Sequence, residues 1–206
     1  MLGDISKKSI SAESIANKVI NDKKLIDDLL ENVSSDKAFI KFKSLKVLIL
    51  LSEKQPSILY PKWDFFVNLL DNENTFLRAI GANAIANLTK VDAENKFEKI
   101  FDKYYSLLED ESMINAANVA GYSGVIAKAK PHLQDKITNR LLDIDKTRHG
   151  SECKNIIKGK AILSFNEYID EFENRDKIIQ FVKRELNNTR SATKKKAEKF
   201  LKKWGK

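Results

Sequence analysis

Helix breakers are scarce in this chain: its 206 residues include three prolines and seven glycines. Strands and long irregular loops use more of both, so the shortage favours helix almost throughout. A single cysteine, Cys153, excludes an intramolecular disulfide. Its place on an apolar repeat position predicts a small buried hydrophobe rather than a reactive thiol. No stretch approaches the ~18 uninterrupted apolar residues of a membrane span, and Met1 to Ser11 carries no apolar core of signal-peptide length. The expectation is a cytoplasmic protein that does not enter a membrane. Catalytic signatures are missing too: there is no phosphate loop, dinucleotide fingerprint, nucleophile elbow or His-Glu-x-x-His. His132 and His149 stand far apart without His or Cys companions at ligand spacing, so a zinc site lacks support. The sequence therefore predicts no enzyme, no cofactor, no metal and no small-molecule substrate.

What is present is a period. Segments with the same apolar spacing open at Phe39, Phe76, Met113, Cys153 and Thr189, separated by 37, 37, 40 and 36 residues. A period in that range signals a helical solenoid, in which each hairpin buries its apolar faces only by stacking on its neighbours. With 42% hydrophobic and 32% charged residues, the chain can fill a continuous core and still present a solvated surface. The expected organisation is a flexible arm over residues 1–11 and one domain over 12–204. Its units span approximately 12–55, 56–91, 92–130, 131–173 and 174–204. Unit one pairs a helix over 12–32, capped by Ser11, with one over 37–55 that carries Phe39, Phe42, Leu45, Val47, Leu48 and Leu51 on its apolar stripe. The remaining units pair 57–70 with 75–90, 93–108 with 112–130, 131–145 with 151–171, and 176–187 with 189–204.

Superimposed, the second helices repeat in register. Eight positions in stand Val47, Ala84, Gly121, Ala161 and Ala197, and twelve in stand Leu51, Leu88, Val125, Phe165 and Leu201. The small residues eight positions in predict close helix approach there. The run from Leu69-Leu70-Asp71 through Thr75-Phe76-Leu77-Arg78-Ala79 to Ala84-Ile85-Ala86-Asn87-Leu88 resembles the HEAT-repeat family: Leu-Leu, a turn Asp, Arg seven later, then an Ala-rich helix ending in Leu. The other units keep the apolar skeleton but place Asn115 and Asn155 where Arg78 stands. The resemblance implies an all-α, right-handed α-α superhelix of the armadillo type with about five hairpins. It also implies that Asp71 and Arg78 are a structural repeat pair, the Arg meeting the turn Asp of stacked units, and that the second helices line a concave face.

Polar residues at the repeated outward positions of those helices are candidates for binding, notably Lys41, Asn115, Asn155 and Lys158. Tyr122, between Gly121 and Gly124, reads either as an exposed anchor or as packing. The longer connection at 146–150 could reach a ligand or be a tolerated insertion. Charge gives the sharpest contrast. Residues 174–206 hold twelve Lys or Arg against three acids, a net +9, whereas the other 173 residues hold 25 basic and 26 acidic groups, a net −1. On the last helix, Arg190, Lys194, Lys195, Lys196 and Lys199 lie outside the apolar stripe of Ala192, Ala197, Phe200, Leu201 and Trp204. They read either as the solvated cap that ends a stack or as an anion-binding surface. The expected function is a non-enzymatic scaffold with a protein partner. Nucleic-acid binding through the basic last unit is the alternative. HEAT-like DNA glycosylases share the basic helical character, but their catalytic constellation has no residue-by-residue match here.

Overall fold

The structure, a computed structural model, describes residues 2–205, and for Leu2 and Asp4 the backbone alone. Met1 of the expected arm and Lys206 of the basic count lie outside the described residues. Those residues are all-helical and contain no strand. The helices are α1 (Leu2–Ile5), α2 (Ala12–Asn21), α3 (Leu25–Glu31), α4 (Ala38–Lys54), α5 (Pro56–Leu59), α6 (Trp63–Leu69) and α7 (Thr75–Leu88). They continue as α8 (Lys96–Ser106), α9 (Met113–Ala129), α10 (Gln134–Leu142), α11 (Ser151–Phe165), α12 (Arg175–Arg184) and α13 (Ser191–Trp204). Short 3-10 turns, such as Leu107–Glu109 and Glu185–Asn187, tighten the ends of the first helices before the chain reverses.

Local chemistry explains the boundaries. The Ser11 side chain accepts the amide of Ser14, as a helix cap should, but the first helix breaks at Asp22, whose carboxylate accepts the amide of Lys24 instead. The expected helix over 57–70 is likewise divided, because Pro61 imposes a 3-10 turn over Tyr60–Lys62. The helix expected from residue 93 starts at Lys96, since the Asp92 carboxylate accepts the amides of both Lys96 and Phe97. The helix expected to reach residue 171 stops at Phe165. The amino-terminal residues are packed rather than free: Ile5 is fully buried and Lys43 Nζ donates to the carbonyl of Lys7 at 2.6 Å.

The core is one connected cluster running through every unit, rich in Leu, Ile and aromatic rings such as Phe66, Phe97, Tyr104, Tyr105 and Phe165. The second helices pack in series, α4 on α7, α7 on α9, α9 on α11 and α11 on α13. Close approach occurs where side chains vanish, though not at the position expected. Gly121 is half-buried with Lys160 3.5 Å from its would-be Cβ, while a Cβ on Gly124 would stand 2.8 Å from the carbonyl oxygen of Ser164. The Ser164 hydroxyl donates back to the carbonyls of Ala120 and Gly121, so α9 and α11 meet backbone to backbone. On α11, a Cβ on Gly159 would lie 2.6 Å from Thr193 Oγ1 of α13.

Phe39 and Phe42, expected on the buried stripe, are instead exposed, as is Phe76. At the register of Phe42 the next two units have Ala79 and Ala116, a space that suits a methyl group, and a phenyl ring there is turned outward. Cys153 and Ala192 also miss full burial: the first is half-buried and the second exposed.

Because the α9–α11 contact leaves no room for a methyl group, Gly124→Ala is expected to lower stability by about 1–3 kcal/mol. Gly150→Ala, at a site with nothing within 4 Å, should be neutral. Thermal unfolding followed by circular dichroism checks both.

Candidate functional site

Polar side chains inside the fold bond mostly to partners about one unit away. Arg78 on α7 donates to Asp110 at 2.7 and 3.1 Å and to Glu111 at 3.0 Å in the next turn, and also takes the carbonyls of Asn72 and Glu73. Asp71 is not its partner: that carboxylate is exposed and pairs with Lys103 of α8. The expected structural pair is therefore two pairs, each crossing to the following unit, and only Arg78–Asp110 is largely buried. Burial opposes ionisation of Asp110, yet Arg78, the amide of Ser112 and Asn115 outweigh it and hold the carboxyl below its usual value.

The outward positions proposed for binding divide sharply. Asn115 is buried and donates to the carbonyl of Thr75 at 3.1 Å. Asn155 donates to Thr189 at 3.0 Å and accepts from Asn188 at 2.9 Å. Lys158 sits between Asp145 at 2.6 Å and Glu185 at 3.1 Å, and these carboxylates raise its ammonium pKa against the opposing effect of burial. Tyr122 is half-buried, with its hydroxyl accepting from Asn83 of α7. These four are occupied by the fold and offer little to a ligand. Lys41 has no side-chain polar partner among the described residues but lies apart, on α4. The connection at 146–150 also packs inward: His149 Nε2 meets the carbonyl of Leu108 at 2.9 Å and the Arg148 amide donates to Glu109.

The last helix is different. Arg190 pairs with Glu152, but Lys194, Lys195, Lys196, Lys199 and Lys202 form no ion pair among the described residues. Lys194 and Lys195 are exposed. Lys196 and Lys199 turn toward α11 with Lys202 and Lys203, and together they rim a groove of about 420 Å3 whose walls include Ile162, Leu163, Asn166 and Phe200. A Cβ on Gly159 would stand 3.3 Å from the Lys196 ammonium, which lies beside α11 in the space that the missing side chain leaves. Burial, together with the like charges of Lys160 and Arg190, pulls the Lys196 ammonium below its usual pKa. At the far end the Trp204 indole N–H donates to Asn166 at 2.9 Å and Lys203 lies 4.2 Å over the indole ring. The groove thus has an apolar floor, including the exposed Leu163, and a cationic rim without counter-charges.

Lys202, Lys203, Leu163 and Asn166 were not among the candidate site residues. The charge count pointed to Lys202 and Lys203. Nothing in the sequence placed Leu163 opposite them, because that requires knowing how α11 and α13 are rotated. Among the described residues, no group of three or more His, Cys, Asp or Glu side chains is placed to hold a metal ion, and no helix is long and apolar enough to cross a membrane.

A second buried cluster marks where the fold depends on charge. The Asp92 side chain is fully buried and accepts from Tyr60 at 2.6 Å, from two amides and from Lys130 at 3.0 Å. Burial raises its pKa, but these donors outweigh that effect and hold it below the ordinary value. Asp92 and Asp110 titrate lower in the folded chain than in the unfolded one. Their stabilisation is therefore complete above about pH 4 and is lost as pH falls through the lower folded values. The melting temperature should stay level from neutral to mildly acidic pH and drop below about pH 4, and Asp92→Asn should shrink that drop while lowering stability at neutral pH. Arg78→Ala should cost about 2–4 kcal/mol, since it strands the buried Asp110 carboxylate. Denaturant titration reads that loss, and Asp110→Asn in the same chain should recover part of it.

Compared with models of known protein families and with curated proteins, the chain matches none.

Proposed function

We propose that the chain is a non-enzymatic scaffold, a right-handed HEAT-like superhelix of about five hairpins that binds a protein partner. The groove between α11 and α13 is the principal contact. The observation that carries this reading is the combination of an apolar floor at Leu163 and Phe200 with a rim of lysines, Lys196, Lys199, Lys202 and Lys203, that have no acidic partner among the described residues. Apolar walls favour a side chain as the anchor, and clustered cations favour carboxylates beside it. An acidic protein segment with a leucine or aromatic anchor meets both requirements. The serial packing of the second helices and the 37-residue spacing of Phe39, Phe76 and Met113 support the repeat assignment. The polar positions engaged by Arg78, Asn115 and Asn155 fit the role of stack-holding residues.

Nucleic-acid binding through the same lysines is the second reading, favoured by the net +9 of residues 174–206. Salt separates the two. Four lysines neutralising phosphates would make log affinity fall about 3 units per decade of salt, whereas an anchored peptide would lose far less. The probes are a short fluorescent peptide of Glu and Leu and a single-stranded oligonucleotide, each titrated against the full chain over a salt series. The peptide is expected to bind with shallow salt dependence and to weaken about tenfold in Lys199→Glu/Lys203→Glu. Steep salt dependence with preference for the oligonucleotide would support the second reading, and no lysine-dependent binding of either probe would rule out both.

A further inference from the structure

Large apolar side chains left outside the core are few, and three of them gather. Phe42 of α4 and Phe76 of α7 meet edge to face with ring centroids 5.3 Å apart, and Phe39 precedes Phe42 by one helical turn. These rings are 43%, 51% and 44% exposed for Phe39, Phe42 and Phe76, which is enough to leave much of each face in water. Phe42 occupies a register that the next two units fill with Ala79 and Ala116, so stacking gives no reason for a ring there. Beside the rings opens a hollow of about 380 Å3, walled by Lys8, Ala12, Phe39, Phe42, Lys43 and Lys46. Lys43 helps to build it: its ammonium lies 5.2 Å over the Phe39 ring and bonds the Lys7 carbonyl, drawing the amino-terminal residues against α4. Among the described residues, the acid paired with this charge is Glu13, 3.9 Å from Lys46, an exposed contact of little weight.

We propose that Phe39, Phe42 and Phe76 form a second docking surface, for a partner segment in which Asp or Glu residues flank a leucine or phenylalanine anchor. The rings take the anchor by edge and face contacts, and Lys8 and Lys46 take the carboxylates. Charge complementarity selects this occupant. A second copy meeting the chain symmetrically through this same hollow would bring cation against cation. A phosphate backbone would make no use of the exposed rings. The inference stands independently of the α11–α13 groove.

The test uses the full chain carrying Lys199→Glu/Lys203→Glu, which silences the distant groove, and measures fluorescence anisotropy of a short labelled peptide of Glu and Leu. Binding should persist in this background and weaken about tenfold in Phe42→Ser and in Lys46→Glu, with helix content unchanged. A labelled peptide of Glu alone should bind about tenfold more weakly than the Glu/Leu peptide. If Phe42→Ser loses helix content, Phe42→Leu replaces it, and the loss should then be smaller but in the same direction. Unchanged peptide affinity in Phe42→Ser or Phe42→Leu overturns the proposal. So does Phe42-dependent self-association in sedimentation, or Phe42-dependent retention on phosphatidylcholine–phosphatidylserine vesicles, without peptide binding.

Discussion

The close contact between successive second helices is the constraint on which the rest of the structure depends. At Gly124 and Ser164 the backbones of α9 and α11 meet without an intervening side chain, and at Gly159 the side chain of Thr193 fills the space a methyl group would need. Helices held this near leave only small or polar residues room at the seam, and every polar group enclosed there must find a partner. Ser164, Thr193, Asn115 and Asn155 do so by bonding the neighbouring helix or turn. The same approach puts the Lys196 ammonium over Gly159 and brings Leu163 opposite α13. Packing and candidate site therefore share one cause.

A second consequence concerns charge. Several cations before α13 find an acid in an adjacent unit: Lys62 with Asp27, Lys103 with Asp71, Arg140 with Asp102, Lys158 with Glu185 and Arg190 with Glu152. Several of these pairs are exposed and contribute little stability individually, but together they leave the units nearly neutral. After Arg190 the pattern stops. The lysines of α13 form no ion pair among the described residues, and Lys203 instead lies over the Trp204 ring. An exposed charge run on a solvated cap would look the same in composition. The groove differs because its cations border an apolar floor, and burial, with the like charges of Lys160 and Arg190, lowers the Lys196 pKa.

How much of this was legible beforehand varies from residue to residue. Helical content, the order of the helices and the buried register of Val47, Ala84, Ala161 and Ala197 followed from periodicity, because a residue's side of a helix is set by its spacing. Phe39, Phe42 and Phe76 show the limit of that logic. Hydrophobicity assigned Phe39 and Phe42 to the interior and made Phe39 and Phe76 markers of the repeat, yet all three rings are exposed, because room for a ring depends on neighbours that spacing along one helix does not reveal. Arg78 was legible as a structural residue paired with the turn Asp of a neighbouring unit, but that this acid is Asp110, and that Asp71 takes Lys103, needed the structure. The breaks at Asp22 and Pro61 came from local bonds competing with the helix ladder, which periodicity does not register.

By itself, then, the sequence determined an all-helical chain and the concentration of positive charge in its last segment. Both depend on residue type and spacing along one strand of covalent chain. The tertiary structure decided which lysines share a surface and which apolar side chains join them. Lys196, Lys199, Lys202 and Lys203 meet Leu163, some 33 to 40 residues away, only through the rotation of α13 against α11. At Gly159 the missing side chain leaves the space that Thr193 of α13 fills, a property of two helices in contact that neither helix carries alone.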